Sequence, residues 1–286
     1  LLIGFERMKQ LCILLMFLVS VGSFAQEEDQ VDQFLDELFA NEGLDVEELL
    51  QQLDSNFLYL NTSFSNPLYF SGRDYDVAQF ALSPQISYYF SNGFSISWLS
   101  NYFSESESVW DNHSLNLFYL HRLSNSPISL MGGVSRVLYS NTLYEDQTNV
   151  SLGGSIDFDN YHYGGSFYLN TNPSDSSSLQ YSMSLYAKWD LLTNEDLKLT
   201  FRPDLSFLWS NYTYAQTTER MNGMTFTREL SDRSLVNSQL KLPLHLYVGN
   251  FDIQCSYNFN FPKALKFEDP IESSSYVSVS IGYFIR

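Results

Sequence analysis

The chain has 286 residues and a mass of 33.0 kDa, room for one large domain or two small ones. Only 17% of residues are charged and the mean hydropathy is -0.18, which excludes a disordered chain and a bundle of membrane helices. A net charge of -18 excludes nucleic acid as a partner, because phosphates call for Lys and Arg.

In chain order, the first predicted element is a targeting segment. Met8 and Lys9 precede an apolar run from Leu11 to Val21, and Ser23-Phe24-Ala25 gives a small-x-small cleavage site before Gln26. Residues 1–25 therefore read as a secretory signal peptide, too short to span a bilayer comfortably and without a basic stop-transfer cluster behind it. Cys12 lies inside this run, so Cys255 is the only thiol of the mature chain and no disulfide is expected.

Glu27 to Asp54 holds eleven carboxylates and no Lys or Arg. Val31, Phe34, Leu35, Leu38 and Phe39 recur at helical spacing, and Asp45 with Glu48 can cap a second short helix. Residues 26–55 are expected to form an acidic, amphipathic helical extension. Two readings stay open for it. One is a solvated extension; the other docks Phe34, Leu38 and Phe39 on a periplasmic protein reached through residues 27–53, or plugs a pore with them.

After Asp54 the apolar period changes from helical to two. Phe251, Ile253, Cys255, Tyr257, Phe259 and Phe261 alternate with Asp252, Gln254, Ser256, Asn258 and Asn260, and Val277, Val279, Ile281 and Tyr283 alternate with Ser278, Ser280 and Gly282. The pattern predicts twelve strands: 56–64, 80–90, 94–103, 113–123, 128–139, 149–158, 161–170, 179–191, 197–209, 235–248, 251–261 and 274–285. Their connections alternate strictly, short then long, as in an even-stranded up-and-down barrel with both termini on one side. Five short turns would pair Phe90 with Phe94, Leu123 with Ile128, Phe158 with Tyr161, Leu191 with Leu197 and Val248 with Phe251. The longest connection would be a loop over 210–234.

Alternation alone does not say which face is buried, and a soluble sandwich gives the same pattern. Strand length, a polar face of Ser, Asn, Gln, Gly and Tyr, and aromatics near both strand ends favour a membrane barrel over residues 56–286. The fold expected is all-β: a 12-stranded antiparallel transmembrane β-barrel with a short helical extension. Pro84, Pro203 and Pro243 inside strands predict bulges. Arg136 falls on the lipid-facing parity unless a bulge near Gly132-Gly133 moves it.

These strands, over roughly Asn56 to Arg286, resemble the bacterial outer-membrane β-barrel class, with Val277, Val279, Ile281 and Tyr283 similar to its assembly-recognition strand. The chain departs from that pattern by ending Phe284-Ile285-Arg286. Phe34-Leu35-Asp36-Glu37-Leu38-Phe39 and Tyr69-Phe70-Ser71-Gly72-Arg73 resemble uncharacterised barrels of Bacteroidota-type bacteria. The resemblance implies the outer membrane of a Gram-negative bacterium, outer-membrane lipid and the barrel assembly machinery as partners, and no transferable catalytic pattern.

The polar parity places Arg122, Asp157, His162, Lys188, Asp190, Lys198, Arg202, Asp204, Lys241, His245 and Asp252 in the lumen, with Asp190 across from Lys198 and Asp157 across from His162. They either staple a filled interior or form a charge-selective constriction. Asp111, His113 and Ser114 suggest a hydrolase, but alternation sends His113 and Ser114 to opposite faces, so no enzyme is expected. No cofactor motif and no cluster at metal-ligand spacing occurs; Asp74, Asp76, Glu105, Glu107 and Asp111 are loop acids. The function expected is a narrow channel for small polar solutes, or alternatively a non-conducting structural or partner-binding barrel.

Overall fold

A computed structural model describes residue 56 to residue 285, apart from 67–78, 105–109, 125, 141–144, 159–161, 174–178, 195–196, 220–224 and 267; side chains of 212–231 are also left aside. The signal segment, the acidic extension with Phe34, Leu38 and Phe39, the Tyr69–Arg73 motif, and Asp74, Asp76, Glu105 and Glu107 lie outside the described residues.

The strands are β1 (Phe57–Asn66), β2 (Ala81–Tyr89), β3 (Phe94–Phe103), β4 (Asn112–Arg122), β5 (Ile128–Tyr139), β6 (Gln147–Phe158), β7 (Tyr163–Thr171), β8 (Gln180–Ala187), β9 (Trp189–Thr193), β10 (Leu197–Phe201), β11 (Asp204–Glu219), β12 (Thr225–Val248), β13 (Phe251–Pro262) and β14 (Ser274–Ile285). Segments β8 and β9 form one stave, and β10 and β11 another, so the fourteen segments make the twelve staves of a closed antiparallel barrel. Every stave pairs with its sequence neighbours. Pairing of β1 with β14, from Leu58 opposite Ile285 to Asn66 opposite Val277, closes the ring.

Two glycines set the tightest turns. Gly93 has φ 91° and Gly249 φ 58°, both in the left-handed region that L side chains avoid. At Gly93 a Cβ would also stand 2.2 Å from the Leu120 carbonyl oxygen. Three of the five expected hairpin registers are present: Phe90 bonds Phe94, Leu123 bonds Ile128, and Val248 faces Phe251.

The other two differ. Phe158 faces Tyr163 and Asp157 faces Gly164, because the connection takes four residues rather than two. Leu199 faces Leu192 and Lys198 faces Thr193, with a register shift at Leu199/Thr200. Leu191 is the residue left unopposed; at Pro203, which has no N–H for the ladder, the register is unchanged, from Phe201 opposite Trp189 to Asp204 opposite Tyr186. The stave breaks at Pro203, while the Pro203 carbonyl still accepts the Ala187 N–H at 3.1 Å. Pro84 and Pro243 likewise keep their register without a bulge.

The expected loop over 210–234 is instead a hairpin. β11 and β12 stay paired from Ser210 opposite Ser234 to Glu219 opposite Thr225. Their outer neighbours stop earlier, β8 at Gln180 opposite Ser210 and β13 at Pro262 opposite Asn237. A two-stranded ribbon of nine residues on the β11 side, about 30 Å long, therefore stands clear of the barrel.

The barrel is inverted relative to a soluble protein. Ile86, Leu115, Leu117, Leu130, Leu152, Leu185 and Ile281 are exposed, whereas Asn112, Ser114, Asn258 and Asn260 are buried. Only a hydrocarbon surrounding makes that distribution favourable. Outward aromatics form two girdles. At the turn end Tyr88 meets Phe90, Phe94 meets Tyr119, and Phe251 meets Tyr283. At the loop end Phe64, Phe80, Tyr102 and Trp110 follow one another at 5.6–6.2 Å between centroids. Among the described residues, no helix is long and apolar enough to cross a membrane.

Introducing Arg at Ile86, on the outward face midway along β2, is expected to lower stability in lipid vesicles by about 2–4 kcal/mol in urea titrations. An unchanged midpoint would contradict the lipid-facing orientation.

Candidate functional site

The interior of the barrel is the candidate site, and its lining falls into two zones. Toward the loop end it is neutral. Ser83 Oγ donates to Asn101 Oδ1 at 2.6 Å, and Asn101 Nδ2 donates to Asn112 Oδ1 at 2.9 Å. Farther round, Gln239 Nε2 donates to Asn260 Oδ1 at 2.9 Å and to the Tyr276 hydroxyl at 3.2 Å, and Asn258 Nδ2 donates to Ser278 Oγ at 3.0 Å. Strand alternation places these amides and hydroxyls inward, and the close antiparallel spacing lets them bond across strands.

Toward the turn end the lining is charged and aromatic. Tyr186 donates its hydroxyl to Asp157 Oδ1, and the Arg202 guanidinium lies 3.9 Å above the Tyr186 ring. Asp204 stands opposite both Tyr186 and Lys241, and Lys188 is buried beside them. Five of the expected lumen charges thus come together on one side of the bore. Next along the wall, His245 stacks beside Tyr247 on the strand that carries Lys241, and Tyr59 donates to Asp252 Oδ2, on the strand after that, at 2.9 Å.

The remaining candidates separate from these groups. Lys198 Nζ and Asp190 Oδ1 are 4.0 Å apart, but both are substantially exposed and sit at the turn-end rim. Their backbones are not opposite; the register shift makes the contact diagonal. Arg122 is exposed at the same rim. His162 precedes β7, and its carbonyl accepts the Lys188 N–H at 2.8 Å; it does not face Asp157.

Inward aromatics are the part that sequence parity alone left out of the site. Phe57, Tyr59, Tyr89 and Phe284 form a buried cluster inside the turn end, with Phe57 stacked on Tyr89 at 4.7 Å. Room for such rings comes from glycines on adjacent strands. A Cβ on Gly282 would lie 2.2 Å from the Tyr59 hydroxyl, one on Gly164 2.5 Å from Tyr186, and one on Gly153 2.2 Å from Tyr168. The signal was present: Gly133, Gly153, Gly164 and Gly282 all occupy inward parity in their strands.

Near the loop end a bulge at Leu208/Trp209 leaves Val236 unopposed. Leu208 and Val236 pack together with Leu265 from the β13–β14 connection, whose Lys263 N–H bonds the Val236 carbonyl at 2.8 Å. That connection is therefore tied down at the mouth rather than standing free.

Long inward side chains, among them Gln85, Lys188, Gln239 and Gln254, are buried, so the bore is narrow at their levels. Asn61 Oδ1, Asn149 Nδ2 and Gln254 Oε1 are buried without a hydrogen-bond partner among the described residues. Each such atom costs about 1–3 kcal/mol unless water or a solute completes it. The lining is thus suited to water and polar molecules.

The Asp111, His113, Ser114 arrangement does not assemble. Ser114 is buried inward, His113 faces outward, and Asp111 Oδ2 accepts the Phe103 N–H at 2.7 Å. Among the described residues no group of three His, Cys, Asp or Glu is placed to hold a metal ion.

No protein-family model matches the sequence, and no curated protein matches it. Several solved structures do. The COG4313 outer membrane channel from Pseudomonas putida F1 is 10% identical, with a TM-score of 0.49 over 81% of this chain and 96% of that one. A KdgM porin is 11% identical, with a TM-score of 0.46 over 80% of this chain and 98% of that one. A NanC porin is 10% identical, with a TM-score of 0.45 over 79% and 98%. Similarity at this level carries no inference about residues or solutes.

Replacing Tyr59 by Phe removes the phenol donor from buried Asp252. The expected loss is about 1–3 kcal/mol of stability, measured by urea unfolding in vesicles; a neutral effect would mean that another group holds the carboxylate.

Proposed function

We propose that the protein is an outer-membrane channel of narrow bore for small polar solutes, without enzymatic activity. The observation that carries this reading is the inversion of the barrel: apolar outside, with buried amides and hydroxyls inside, several of them short of a partner among the described residues. A barrel filled purely for strength has no need of unsatisfied polar atoms. The charged zone built on Asp157, Lys188, Arg202, Asp204 and Lys241 would then act as the filter that a solute meets after the neutral zone.

Placement in the outer membrane of a Gram-negative bacterium follows from the same inversion, and β14 would be the strand presented to the assembly machinery. The Phe34–Phe39 and Tyr69–Arg73 segments support a Bacteroidota-type source. Residues 27–53 would face the periplasm and offer Phe34, Leu38 and Phe39 to a partner.

A second reading is a non-conducting barrel that binds a partner outside the cell. The projecting β11–β12 ribbon favours it, because an isolated two-stranded ribbon is marginal in water unless something packs on it.

Planar-bilayer recording separates the two. The channel reading expects small discrete conductance steps; a purified, folded barrel that passes no current sinks it. Tyr59→Ala, which shortens the aromatic cluster at the turn end, is expected to raise the unit conductance severalfold. Deleting residues 27–53 should leave the unit step unchanged if that extension serves a partner, and enlarge it if it plugs the bore.

A further inference from the structure

Arg136 is the residue that a membrane barrel explains least. No bulge moves it inward: β5 runs in unbroken register, with Arg136 opposite Leu115 on one side and Thr148 on the other. Its side chain is 47% exposed, on the face that carries Leu115 and Leu117. It lies three residues before the end of β5, about 10 Å below the loops along the strand. A lone arginine at mid-bilayer on such a face costs about 2–4 kcal/mol, and near the interface much less.

The side chain reaches upward. One terminal nitrogen donates to Thr148 Oγ1 at 2.8 Å, the other to Asp146 Oδ2 at 3.4 Å. A guanidinium has five N–H donors in a planar fork. Two are engaged, one of them by a long bond, and the rest remain for a ligand approaching from the lipid side.

A second donor stands close by. His113 is opposite Leu138, which puts it diagonal to Arg136 on the same face, a Cβ separation of about 7–8 Å. The Trp98 indole N–H donates to Ser100 Oγ at 3.1 Å, and Ser100 Oγ is 2.8 Å from His113 Nδ1. An indole can only donate, so the serine hydroxyl accepts from it and keeps its own hydrogen and a second lone pair for the imidazole; when Ser100 donates to Nδ1, the Nε2–H is the donor that His113 has left for a ligand. Trp98 and Trp110 flank the imidazole, with centroids at 5.5 and 6.4 Å, and mark this level as the interfacial girdle.

We propose that Arg136 and His113 form a binding site for the phosphate-bearing headgroup of a lipid in the outer leaflet. The occupant is argued from charge and place: donors and a fixed positive charge turned toward lipid at headgroup depth, in a chain of net charge -18. Asp146 holds the guanidinium in position and gives up part of its ion pair when a phosphate arrives. The site rests on the membrane orientation of the barrel and is independent of whether the bore conducts.

The test is native mass spectrometry of the full chain released from mixed vesicles of phosphatidylglycerol and phosphatidylcholine, and from vesicles of a diphosphorylated glycolipid and its dephosphorylated form. The wild type should retain the phosphorylated anionic lipid of each pair. Arg136→Gln should lower that retention about tenfold, the scale of one charge-assisted hydrogen bond. His113→Gln should lower it less, and Lys241→Gln, a charge lost inside the bore, should leave it unchanged. Heat-modifiable gel mobility equal to that of the wild type would certify that Arg136→Gln is folded. Equal retention of charged and neutral lipids, or retention by Arg136→Gln equal to wild type, overturns the proposal. So does loss of the bound lipid to millimolar inorganic phosphate, which would make this a site for free anions.

Discussion

Closure of the backbone ladder governs the rest of this molecule. A peptide N–H or C=O facing hydrocarbon without a partner costs several kcal/mol, so a sheet in lipid has no permissible edge. Pairing of β1 with β14 removes the edge, and everything else follows from keeping that ring intact. Staves must continue across Pro203, where the strand breaks yet the Pro203 carbonyl still accepts from Ala187 and the Arg202 N–H still reaches Pro243. Closure also turns one side of every strand toward a shared interior, which makes the inward residues a site.

Within that interior, size is set by pairs of large and small residues. Tyr59 over Gly282, Tyr186 over Gly164 and Tyr168 over Gly153 seat each ring over the backbone of the neighbouring strand. The same arrangement brings a hydroxyl to a carboxylate two strands away, Tyr59 to Asp252 and Tyr186 to Asp157. Each carboxylate is thereby held by a neutral donor. The neutral amides toward the loop end bond chiefly with one another. From the loop end inward, the wall therefore presents hydrogen-bonding groups first and fixed charges second.

The outer surface follows a comparable logic. Aromatic rings at both rims tolerate the change from hydrocarbon to water. Arg136 and Arg233 both lie on the outward face near the loop end, the latter over the Tyr181 ring at 4.7 Å and bonded to Asn211 at 2.9 Å. Basic groups on the lipid side of an acidic protein belong where the surrounding leaflet is itself anionic.

Much of this was legible in the sequence because the side-chain period of a strand is two. Alternation such as Phe251 to Phe261 against Asp252 to Asn260 determined strand existence, stave number and facing, and hence which residues line the bore. Turn residues determined register where a glycine fixed the geometry, at Gly93 and Gly249, and where Pro127 ended the connection before Ile128. Where the turn had neither, after Phe158 and after Thr193, local residues were compatible with several lengths, and pairing across the sheet chose among them. Tertiary structure alone decided that Lys188, Arg202, Asp204, Lys241 and Asp157 meet at one level, since the register between neighbouring staves sets the height at which their side chains align. It also decided that 210–234 is a ribbon, because Tyr212 to Glu219 gains its ladder only from β12. Parity is a local property of the chain, but which side chains meet depends on the shear and closure of the whole ring.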